Sequence, residues 1–110
     1  MSEIETLKLL EKILDMTSKN ILEWNSKVTE NGNIEYFSKI PNTEFQILIL
    51  ESGVFPKFFI LSSAYALQVN LKSLEETALS NAEEITLSII TTVKNRIHSY
   101  IRKKLKSEFI

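Results

Sequence analysis

The sequence has no cysteine, one histidine, two glycines and two prolines among its 110 residues. Without cysteine there is no thiol nucleophile, no thiolate metal site and no disulfide scaffold, and with His98 as the single histidine there is no multi-histidine zinc site. The glycines, Gly32 and Gly53, stand far apart, so no glycine-rich phosphate loop exists. Scarcity of Gly and Pro beside 44% hydrophobic and 25% charged residues excludes the collagen-like, low-complexity and disordered classes. Long apolar runs are missing too. The longest, at 47–50 and 58–61, are four residues each, against the roughly 18 of a membrane span. Glu3, Glu5, Glu11 and Asp15 interrupt the start, where an export signal has a basic end and an apolar core. The expectation is one domain in the cytoplasm, with no membrane partner and no cofactor.

Charge is present in both signs but unevenly spread. Residues 1–93 hold 7 Lys and 13 Asp/Glu, while residues 94–110 hold 6 Lys/Arg and 1 Glu, a split of −6 against +5 behind an overall −1.

At about 100° per residue, Ile4, Leu7, Leu9, Leu10, Ile13, Leu14 and Met16 fill half a helix circumference and predict an amphipathic helix, with Ser2 and Glu5 at capping-box spacing. It should end near 17–20. From Ile21 the period changes to two, with Leu22, Trp24, Ser26 and Val28 on one side, which predicts a half-buried strand. Asn31-Gly32-Asn33 predicts a hairpin turn into a second strand over 34–40. Segments 44–51 and 57–63 predict strands three and four, whose apolar residues on both faces read as interior strands covered on both sides. Residues 64–71 contain good helix formers but alternate like a strand, and are read as extended. Ser73-x-x-Glu76 and Asn81-x-x-Glu84 both have capping spacing, so the last third is one helix from about 74 or, slightly better, a short helix followed by a long one from Ala82. The fold class is α+β: an N-terminal helix, an antiparallel meander of three to four strands, and a helical C-terminal third with a long final helix.

That final helix is about 39 Å long over 82–107, whereas a compact domain of this size is about 34 Å across. Ile101 and Leu105 therefore need a neighbour or stay exposed, and a second copy of the chain is the cheapest cover. An equal alternative puts one helix on each face of the sheet. Lys94, His98, Arg102 and Lys106 recur every four residues, with Lys103 beside them. This is a phosphate-binding footprint, a contact for an acidic protein, or a match to the helix dipole, which Glu75, Glu76, Glu83 and Glu84 complete at the other end. Phe55, an apolar residue in a turn before Pro56, is either a partner-binding knob or a lid on the core. Glu23, Glu35, Glu44 and Glu51 fall in or beside strands, where solvent-facing positions explain them better than a catalytic carboxylate pair. No enzyme is expected.

The acidic amphipathic helix, the Thr17-x-x-x-Ile21-x-x-Trp24 passage into a strand, the Asn-Gly hairpin and the helical last third together resemble short uncharacterised proteins of bacteria and their phages. The resemblance implies a small accessory or regulatory module that binds another protein, of the immunity, antitoxin or phage-inhibitor kind. The resulting expectation is a non-enzymatic interaction module, a homodimer. Contacts would come from Phe55, Lys94, His98, Arg102, Lys103 and Lys106, and dimer contacts from Ile101 and Leu105. Nucleic-acid binding by the basic helix is the alternative.

Overall fold

The computed structural model describes residues 2–51, 56–69, 71 and 74–109. Helix α1 (Glu3–Ser18) starts where Ser2 accepts a hydrogen bond from the Glu5 amide, satisfying one of the free N–H groups of the first turn. It ends in a left-handed residue, Asn20, at φ 61°. The Ile21 amide donates to the Met16 carbonyl and the Asn20 amide to that of Thr17, the paired bonds of a Schellman stop. Thr17, wholly buried, receives the Trp24 indole N–H at 3.0 Å, which fixes the path from the helix into the sheet.

Five strands follow, β1 (Asn25–Val28), β2 (Ile34–Lys39), β3 (Gln46–Glu51), β4 (Lys57–Leu61) and β5 (Ala66–Val69). They form one antiparallel meander in chain order. The α+β class holds, with one or two strands more than expected: the alternating segment around Leu67 pairs with β4. The β1–β2 turn uses Gly32 at φ +80°, and the β2–β3 turn places Asn42, after Pro41, at φ 61°, the arrangement of a type II turn.

The first strand differs from expectation. It begins only at Asn25, leaving Leu22 and Trp24 in the connection, and all four of its residues are exposed. It is an edge strand, so only one neighbour shields it.

Helix α2 (Glu76–Phe109) is one uninterrupted helix of 34 residues, so the break expected at Ser80-Asn81 is absent. Both residues are exposed, while Ala82 beside them is fully buried. Weak helix formers there cost only about 0.5 kcal/mol each, less than the packing that a break would disturb. The alternative cap at Ser73 lies outside the described residues.

The two helices run side by side in the same direction. The Glu75 amide donates to Glu3 Oε1 at 2.9 Å at one end, and Arg96 donates to the Ser18 carbonyl at 3.3 Å at the other. Leu10 and Ile13 of α1 and Ala82, Ile89 and Val93 of α2 form a single core with Tyr36, Ile47, Ile49, Phe58 and Val69 of the sheet. Both helices thus cover the same face of the sheet. No helix among the described residues is long and apolar enough to cross a membrane.

Candidate functional site

Alternation along the strands, combined with their register, defines what the uncovered face of the sheet presents. Asn25, Phe37, Leu48, Phe59 and Gln68 stand directly opposite one another across all five strands. Leu50 lies one step along the strands in one direction and Leu61 one step in the other. None of these apolar residues belongs to the core or packs against it, and all are only half-buried, whereas Tyr36, Ile47, Ile49 and Phe58 on the opposite face are fully buried. The apolar area is about 10 Å across and about 14 Å along the strands. Glu35, Lys39 and Lys57 occupy its border on β2 and β4. Strands three and four are therefore covered on one side, not on both.

The double-sided apolarity of β3 and β4 is legible in the sequence, where a second copy or one helix on each face could equally supply the cover; both helices in fact lie on one face. Period two reports that two faces exist and is silent on which face the helices choose.

The second feature is the free end of α2. Beside α1 it is packed as far as Ile97; from His98 to Phe109 every residue is exposed. The helix extends about 51 Å, matching the 50 Å long axis of a molecule that is otherwise 31 by 29 Å. The radius of gyration, 14.9 Å, exceeds the ~13 Å of a compact chain of this length because of this overhang. Ile101 and Leu105 lie on it uncovered.

The basic residues divide into two groups. Lys94 reaches back to the sheet, donating to Glu51 Oε1 at 2.7 Å, while the Tyr36 hydroxyl donates to Glu51 Oε2 at 2.9 Å. The Lys94 hydrogen bond holds the Glu51 carboxyl below its usual range against a smaller opposing effect of burial, with the Tyr36 bond assisting. Burial first, and then the Glu51 carboxylate, push the Tyr36 hydroxyl far up. Lys94 thus leaves the expected stripe for an internal pair. His98, Arg102, Lys103 and Lys106 remain on the overhang, exposed, and Lys104 sits 3.8 Å from Glu108. Phe55 lies outside the described residues.

Where α2 leaves the domain, a groove of about 750 Å³ opens between the α1–β1 connection and the underside of the helix. Leu22, Trp24, Ile97, Tyr100 and Ile101 make it apolar, with Glu23 and Arg96 among its polar lining. Among the described residues no three His, Asp or Glu side chains gather where they could hold a metal ion. Family models, curated proteins and solved structures yield no match to this chain.

Proposed function

We propose that this protein is a small non-enzymatic interaction module that binds another protein, of the immunity, antitoxin or inhibitor kind, and acts by covering a surface of that protein. The observation that carries the reading is the uncovered apolar row Phe37–Leu48–Phe59, bordered by Lys39 and Lys57. A solvent-facing sheet ordinarily alternates apolar-in and polar-out, and an apolar patch rimmed by polar residues marks an interaction site. Phenylalanine and leucine in direct register offer a flat anchor, and a border of two lysines against the single Glu35 favours a partner whose rim is acidic.

Photo-crosslinking tests it. A benzophenone amino acid placed at Phe59, in cells that make the protein, should yield an adduct with a second protein, and Leu48→Asp should abolish that adduct. A crosslinker at Lys12, on the exposed side of α1, should give none. Adducts only between copies of this chain, or an adduct pattern indifferent to Leu48→Asp, would overturn the reading.

Exposure of Arg102, Lys103 and Lys106 on the overhang favours a second reading, nucleic-acid binding. Retention on heparin or DNA near physiological salt, lost when these three become Glu, would support it; absence of retention removes it.

A further inference from the structure

One side of α2 carries exposed apolar residues at Leu87 and again, on the overhang, at Ile101, Leu105 and Phe109. Leu87 is 62% exposed, Leu105 49% and Phe109 76%. Leu87 and Leu105 are 18 residues apart, which is five full turns at 3.6 residues per turn, so they lie on one line about 27 Å apart. Thr91 and Phe109 lie about 40° to one side of that line and Ile101 about 40° to the other. The same helix is acidic at its start, with Glu76, Glu83 and Glu84 and with Glu75 just before it, and basic at its end, with Arg102, Lys103, Lys104 and Lys106.

We infer that this stripe binds a second copy of the chain, α2 against α2, antiparallel, with the twofold axis at the level of residue 96, beside Lys94 and His98. In that register Leu87 meets Leu105 of the second copy, Thr91 and Ile101 lie level with each other on opposite flanks of the line, and each overhang lies along residues 83–94 of the other copy. Glu84 comes within one helical turn of the second copy's Lys106. Glu83 lies beside the second copy's Glu108, whose charge Lys104 offsets at 3.8 Å. Lys94, whose charge Glu51 already offsets, faces His98 across the axis. A parallel pair would bring acid against acid and base against base, and would align the helix dipoles unfavourably; the antiparallel pair opposes both. The contact is self-complementary, as a twofold interface must be.

The size of the contact sets its strength. A strip about 40 Å long and about 10 Å wide covers roughly 400 Å² per copy, the scale of weak and transient interfaces. The dimer should therefore dissociate in the micromolar range and weaken with salt. It stands apart from partner binding by the sheet face, which it leaves open.

The absence of native cysteine makes the test clean. On mild oxidation, a mixture of Leu87→Cys and Leu105→Cys chains should give a disulfide-linked dimer, and either variant alone should give little, since like positions are about 27 Å apart across the axis. Sedimentation should show a concentration-dependent dimer that Glu84→Lys or Lys106→Glu weakens and the two together restore. Both positions are exposed, so folding should be unaffected, and circular dichroism would check this. A monomer at every concentration, equal crosslinking by either cysteine variant alone, or a dimer broken by Leu48→Asp and not by Leu105→Asp would overturn the inference.

Discussion

Lys94 on α2 and Glu51 at the end of β3 are joined by a 2.7 Å hydrogen-bonded ion pair, and Tyr36 of β2 donates to the same carboxylate. One side chain thereby ties the long helix to two strands at the level where the helix begins to leave the domain.

Glu51→Gln should destabilise the protein by about 1 kcal/mol at neutral pH, because a half-exposed pair is worth little more. The pH dependence gives the sharper test. A carboxyl whose folded value is depressed contributes stability above its unfolded value and loses it as pH falls through the acidic range. The gap between wild type and Glu51→Gln should therefore close in acid. Tyr36, raised by burial and by Glu51, works in the opposite sense: its contribution fades as pH rises above the usual tyrosine range of about 10. Urea melts at pH 7 and pH 3 would check the carboxylate, and an unchanged gap would contradict it.

Local chemistry made much of this fold readable. Ser2 and Glu5 started α1, Asn31-Gly32 turned the first hairpin, and the alternation around Leu67 was visible as an extended pattern. What could not be read depended on the third dimension. Leu48 and Phe59 are as apolar as Ile49 and Phe58, and only the placement of both helices on one face separates candidate surface from core. Ser80-Asn81 suggested a cap because local propensity ignores Ala82, whose burial keeps the helix running. Lys94 belonged to the basic stripe by spacing and to Glu51 by distance. Conversely, the overhang of Ile101 and Leu105 followed from arithmetic alone, since helix length and domain size scale differently with residue number.

Thr86 lies in the core at 2% exposure, with no hydrogen-bond partner for its hydroxyl among the described residues. Burying an unpaired hydroxyl costs on the order of 1–3 kcal/mol. Thr86→Val keeps the shape and removes the hydroxyl, so it should raise stability by about 1 kcal/mol. A denaturant melt would show this as a higher midpoint at unchanged slope.

Asn20 closes α1 at φ 61°, a conformation costing a residue with an ordinary Cβ about 1–2 kcal/mol. Asn20→Ala should therefore destabilise by about 1 kcal/mol, while Asn20→Gly should stay within about 0.5 kcal/mol of wild type. Equal losses in the two variants would mean that the Asn side chain, and not the backbone conformation, matters there.

Hydrogen exchange should divide α2 in two. Ile89 and Val93 are buried in the core, so their amides should exchange only through opening close to global unfolding. Amides beyond His98 sit in a helical segment with no tertiary cover, and a dozen residues of helix without packing are marginal in water, so these should exchange through local fraying with a free energy near zero. Concentration then becomes informative. If a second copy covers the overhang, protection beyond His98 should rise as the protein is concentrated and fall again when salt is added, while protection at Ile89 and Val93 changes far less. Tail protection that ignores both concentration and salt would show that the overhang stands alone, leaving the uncovered face of the sheet and the groove beside Leu22 and Trp24 as apolar surfaces open to a partner.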